Sequence, residues 1–158
     1  MLIAGIDPGT NGAIAVLDST NPDSVALLDL KKNSICDTWN WLHTEGLALG
    51  SSKVWVEDVH SLYGMSARSN FGFGRNLGTV LTIAELLTGN SPGTVTPKIW
   101  QKYVGVTAKG KDIKKQVAEI AISLYPAANL YGKKGGLLDG RSDALMIAHY
   151  GLNHMEEQ

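Results

Sequence analysis

Hydrophobic positions along this chain fall into two rhythms. The runs Leu2–Asp7, Ala13–Asp18, Ser24–Leu30 and Lys53–Val59 are short, apolar and bounded by Gly, Pro, Asn or Asp, which predicts strands. The first three follow one another through short turns and should form an antiparallel meander. Ile35, Trp39 and Leu42 then recur at helical spacing behind Ser34, a good N-cap. The stretch from His60 to Ser66 has no periodicity and reads as a loop that reaches to about Asn70. A helix over 71–87 places Leu77, Val80, Leu81, Ala84 and Leu87 on one face and stops at Gly89. Gly93–Thr96 is a short fifth strand, and Pro97 suits the first turn of a helix through Tyr103. Lys111–Leu124 is amphipathic and ends before Pro126, and a last helix runs from about Arg141 to His154. This order predicts an α/β fold, a mixed five-stranded sheet flanked by helices, in one domain spanning residues 1–158.

Composition narrows the class. A chain of 158 residues fits a single domain with a real core. No apolar run approaches the roughly 18 residues of a membrane span, and the opening residues carry no secretion signal. The single cysteine, Cys36, offers neither an internal disulfide nor a zinc cluster, which fits a reducing cytoplasm. The net charge of −1 argues against a polyanion partner, but its distribution argues for one. Lys98, Lys102, Lys109, Lys111, Lys114, Lys115, Lys133 and Lys134 face only Asp112 and Glu119 in their segment, whereas acids outnumber bases from Met1 to His60. Such segregation creates a local cationic field on a neutral molecule. Each lysine taken singly also fits an ordinary solvated face.

The acids carry the chemistry. Asp7 ends the first strand, against the cost of burying a charge. Glu57 lies near the end of the fourth, and in a mixed sheet strands one and four can be neighbours. Asp139 and Asp143 flank the start of the last helix at i, i+4 and share a face. Acids there also suit the helix dipole without any catalytic role. Four converging carboxylates would repel one another, and hard divalent cations such as Mg²⁺ or Mn²⁺ would offset that repulsion. Two such ions could activate a water and stabilise a leaving 3′ oxygen.

The segments Ile6-Asp7-Pro8-Gly9 with Gly12-Ala13-Ile14-Ala15, Val56-Glu57, Val95-Thr96-Pro97, Lys114-Lys115-Gln116-Val117 and Asp139-Gly140-Arg141-Ser142-Asp143-Ala144-Leu145 occur in this order along the chain. Together they resemble the RuvC-type Holliday junction resolvases, within the ribonuclease H-like superfamily, and the compact form is more similar to the phage-borne branch. The resemblance implies a ribonuclease H-like fold, a homodimer and paired metal-dependent nicks in four-way DNA. It implies Asp7, Glu57 and Asp143 as metal ligands. Asp139 departs from the family pattern, because bacterial members hold the last two acids three residues apart. Lys102 and Lys114 match positions where family members place lysines against DNA. Family members also carry an aromatic residue shortly after the catalytic glutamate, and here His60, Leu62 and Tyr63 occupy that loop.

Tyr63, Phe71 and Phe73 are candidates to stack on bases opened at a branch point, with Arg68 and Arg75 meeting phosphates. Phe71 and Phe73 equally suit the core face of their helix. That helix, with Phe73 and Ile83 as a second apolar flank, is the candidate dimer surface. His149 and His154 could position a water or simply pack. A rival reading is an actin-like or sugar-kinase ATPase, whose first phosphate loop is similar, but the chain lacks the second glycine-rich motif. Another is a branched-DNA-binding dimer without catalysis, against which all four acids speak, since acids repel a polyanion unless metal is bound.

Overall fold

In the computed structural model, which describes residues 1–59, 64 and 66–157 apart from the side chains of residues 22 and 157, the strands are β1 (Leu2–Ile6), β2 (Ala13–Asp18), β3 (Asn21–Asp29), β4 (Ser52–Glu57) and β5 (Gly93–Val95). The helices among the described residues are α1 (Ile35–Thr44), α2 (Ala67–Thr88), α3 (Pro97–Tyr103), α4 (Asp112–Leu124) and α5 (Asp139–Asn153). The sheet order is β3-β2-β1-β4-β5, antiparallel through the β1–β2–β3 meander and parallel from β1 to β4 to β5. The expected mixed sheet and its strand neighbours are therefore present.

Both faces of the central strands are buried, which explains their unbroken apolar runs. Side-chain alternation sends Ile3, Ala13, Ala15, Leu17 and Trp55 to a core shared with Trp100, Val117, Ala121 and the apolar residues of α5. Ala4, Ile6, Ile14, Val16, Val54 and Val56 turn the other way, onto Leu42 of α1 and Val80, Ile83, Ala84 and Leu87 of α2. The buried stretch of α5, from Gly140 to Gly151, lies across β1, β2 and β4. Its approach is close because both surfaces are made of small residues. A methyl group on Gly5 would overlap the backbone of Ala144 and Ala148. One on Gly140 would overlap the backbone at Asn11 and Gly12 in the β1–β2 turn.

Several boundaries differ from the sequence expectation for physical reasons. The third strand starts earlier, at Asn21, because it is a sheet edge and tolerates Pro22. The long helix starts at Ala67, where the Ser66 hydroxyl accepts from the Ser69 amide at 3.1 Å, so residues 67–70 are helical rather than loop. Gly72, Gly74 and Gly78 dilute the periodic signal there. No residue of α2 before Val80 is fully buried among the described residues. Phe71 is 76% exposed, which overturns its reading as a core residue, while Ile83 is buried and supplies no outer flank. The last helix begins two residues early, at Asp139. Ser34 caps α1 as expected, in a reciprocal box with Asp37.

Two glycine replacements should move stability in opposite directions in urea denaturation. Gly5→Ala should destabilise by about 1–3 kcal/mol through overpacking against α5. Gly72→Ala, with open space at its Cβ position in a helix, should stabilise by about 0.5–1 kcal/mol.

Candidate active site

The strand register brings the first two acids together. Ile6 pairs with Val56 across the parallel β1–β4 ladder, so Asp7 and Glu57 follow side by side at the ends of adjacent strands. The turn behind Asp7 folds back on it. The Asp7 amide donates to the Ala13 carbonyl at 3.0 Å, and the Gly9 amide donates to the Asp7 carboxylate at 2.9 Å. Glu57 is buried and accepts a 2.8 Å hydrogen bond from the indole N–H of Trp100, which α3 inserts wholly into the core. Asp143 lies one turn into α5, next to the Ala144 that rests on β1, and is also buried. One of its oxygens, Oδ2, accepts from the ammonium of Lys114 on α4, while Oδ1 is buried without a partner among the described residues. The same ammonium lies 3.3 Å from Asp139 at the first position of α5.

Electrostatics ties these groups into one site. Burial raises the Asp7 carboxyl above its ordinary value against the Gly9 hydrogen bond and the Lys114 charge, with Asp139 adding repulsion. Glu57 is pushed up to about 7, first by burial and then by the Asp7 charge, with the Trp100 hydrogen bond working in the other direction. Asp143 is pushed up to about 6 by burial, despite Lys114, and feels both Asp7 and Asp139. Burial works against the Lys114 charge, but Asp143 and Asp139 more than compensate and raise it.

The donor set suits a hard divalent ion: desolvated, mutually repelling carboxylates with one orphaned oxygen, on Asp143. As the side chains stand, no three His, Cys, Asp or Glu among the described residues close on one point to hold a metal. Lys114 is the cation that Asp139 and Asp143 share.

The remaining candidates are spread around this centre. Lys98 and Lys102 are exposed on α3, and Lys109 and Lys111 are exposed in the approach to α4. Lys115 is exposed and lies 3.8 Å from Glu119, one turn along. Arg68 and Arg75 are exposed on α2, and Phe73 is half-buried. Tyr63, His60 and Leu62 lie outside the described residues. His149 meets the Tyr125 hydroxyl at 2.8 Å, and His154 stacks on Tyr150, so both are engaged in an aromatic cluster along α5. Sequence reasoning missed Trp100. A buried indole usually finds an acceptor, and its place in the helix after Val95-Thr96-Pro97 was the available signal. It also missed Arg141, whose Nε and second terminal nitrogen fork onto Asp29 at 2.6 and 3.0 Å and tie α5 to the edge strand.

Glu57 should make the metal-free protein less stable as pH rises. Its carboxyl holds a proton up to about pH 7 when folded, against an ordinary value of 4.5, so between those values the folded state binds the extra proton. Stability is then fully present below pH 4.5 and is lost towards pH 7. Asp143, raised to about 6, acts in the same direction. In EDTA, Glu57→Gln should flatten this decline and leave the variant about 1–3 kcal/mol more stable than wild type at pH 7.5, by chemical denaturation.

No protein-family model and no curated protein matches this sequence. Solved structures do. The fold is similar to that of Thermus thermophilus RuvC in complex with a Holliday junction substrate, with a TM-score of 0.63 and 18% identity over 98% of this chain and 96% of that one. A second structure of Thermus thermophilus RuvC gives a TM-score of 0.56 at 18% identity, covering 99% of this chain and 97% of that one. The mixed five-stranded sheet with flanking helices is thus the ribonuclease H-like architecture expected from the sequence.

Proposed function

We propose that the protein is a metal-dependent endodeoxyribonuclease that acts as a homodimer and resolves four-way and related branched DNA. The observation that carries this reading is that Asp7, Glu57 and Asp143, three desolvated carboxylates from three elements, interact through their charges on a fold shared with a protein solved on a Holliday junction. Asp7, Glu57 and Asp143 would hold Mg²⁺ or Mn²⁺, with Asp139 at the rim. Two such ions, when bound, supply an activated water and stabilise the leaving 3′ oxygen.

The chain's own groups do the rest. The Gly9 amide and the Trp100 indole each occupy one carboxylate oxygen and fix its rotamer. Burial of Glu57 and Asp143 strengthens every charge interaction at the scissile phosphate. The exposed Lys98, Lys102, Lys109, Lys111 and Lys115 supply phosphate contacts, which position DNA without reading sequence. Tyr63, close behind Glu57 in sequence, is the proposed ring that stacks at the junction centre. Phe71 and Leu86, both exposed on α2, are the apolar residues offered to a second copy.

Asp7→Asn, Glu57→Gln and Asp143→Asn should each lower Mg²⁺-dependent cleavage of a labelled synthetic four-way junction by about 10²–10³-fold or more while binding persists. Full activity in Asp7→Asn overturns the mechanism. Activity of wild type on linear duplex equal to that on the junction overturns the branch selectivity. Lys98→Ala with Lys102→Ala should reduce the log–log salt slope of junction binding by roughly two units, one per lost phosphate contact.

A further inference from the structure

Lys114 is half-exposed, with 48% of its side chain open to solvent, yet its ammonium is shared by two carboxylates of unequal depth. Asp139 is 45% exposed and Asp143 only 6%. Lys114 belongs to the first turn of α4, so its pairing also pins the start of α4 to the start of α5. The other oxygen of Asp143, buried and unpartnered, shows that the lysine satisfies only half of this deep carboxylate. A buried carboxylate that loses its counterion is strongly destabilising, so the metal-free site needs this lysine. A divalent ion held by these carboxylates would repel the ammonium already beside them and compete with it for their charge.

We infer that Lys114 is a resident counterion that holds Asp139 and Asp143 in place without metal and is displaced from them when a divalent ion binds. This rests on the metal reading above and adds a positioning residue to it. The displaced ammonium stays tethered to α4 at the edge of the site, half in solvent, where a DNA phosphate can take over as its partner. Metal binding and DNA binding then favour each other through one side chain, and the coupling is reciprocal. In this scheme metal binds weakly to the free protein because it must first expel an internal cation, and binds more tightly once DNA has captured that cation.

Two measurements test it. Calorimetric titration with MgCl₂ should show Lys114→Met binding Mg²⁺ at least about fivefold more tightly than wild type, a coupling of ordinary size. Lys134→Met, which removes an exposed lysine of the loop before α5, should leave the affinity within about twofold. The metal-free Lys114→Met variant should also melt at a lower temperature than wild type and recover more on adding Mg²⁺. The second measurement needs no variant. Acetic anhydride labelling of the wild-type protein, read by mass spectrometry, should find the Lys114 amine protected relative to Lys111 and should speed its modification at least about threefold on saturation with Mg²⁺. Equal Mg²⁺ affinity in Lys114→Met and wild type, or unchanged Lys114 labelling in a protein that binds Mg²⁺, overturns the inference. If Lys114→Met does not fold, the labelling decides alone. Mg²⁺ binding to neither protein overturns the metal reading of the site, and this inference with it.

Discussion

The close seating of α5 on β1 is the constraint on which the site depends. Gly5 leaves no side chain beneath the helix, and Ala144 and Ala148 present only methyl groups and backbone to it. That contact sets the depth of Asp143, the residue next to Ala144. The parallel register then brings Asp7 and Glu57 to one level. Gly140 closes the same contact at its upper end, against the backbone of the β1–β2 turn that folds behind Asp7. A wider helix–sheet spacing would leave the strands intact and separate Asp143 from its neighbours.

What this seating costs is the burial of like charges. Each of the three deep acids is raised first by desolvation, and Asp7 adds repulsion to both of the others. The protein offsets the cost locally, with an amide on Asp7, an indole on Glu57 and an ammonium on Asp143. These partners differ in permanence. The Gly9 amide and the Trp100 indole belong to a turn and a core residue, whereas Lys114 is a flexible side chain half in solvent. The rigid partners therefore orient carboxylates, and the flexible one balances charge.

Much of this was legible in the sequence because period and register are local. Alternation assigned the strands, and four acids at element ends marked the site before any contact was known. The parts that were not legible depend on distant packing. Trp100 reads as one more core aromatic until its indole is seen to meet Glu57, 43 positions away. Lys114 reads as a lysine placed against DNA, and only the docking of α4 beside α5 turns it onto Asp143. The start of α2 was obscured by its glycines, and Phe71 could not be placed by period alone because no residue of that helix before Val80 is fully buried among the described residues.

Asp139 and Asp143 show why spacing alone is a weak guide to role. Four residues apart on one helix, they share a face, and spacing by itself does not rank them. Their environments are not equivalent, because α5 enters the core between them: Gly140 is already against the β1–β2 turn, while Asp139 remains at the mouth. The outer acid stays open to water and can exchange partners at little cost. The inner one retains an unpartnered oxygen and cannot go without a cation. A single lysine spans this gradient, anchored by the deep carboxylate and guided by the shallow one. Under the proposed displacement, an incoming cation would meet the exposed Asp139 before the buried Asp143. The i, i+4 pair would then be a graded entry to one buried charge rather than two matched ligands.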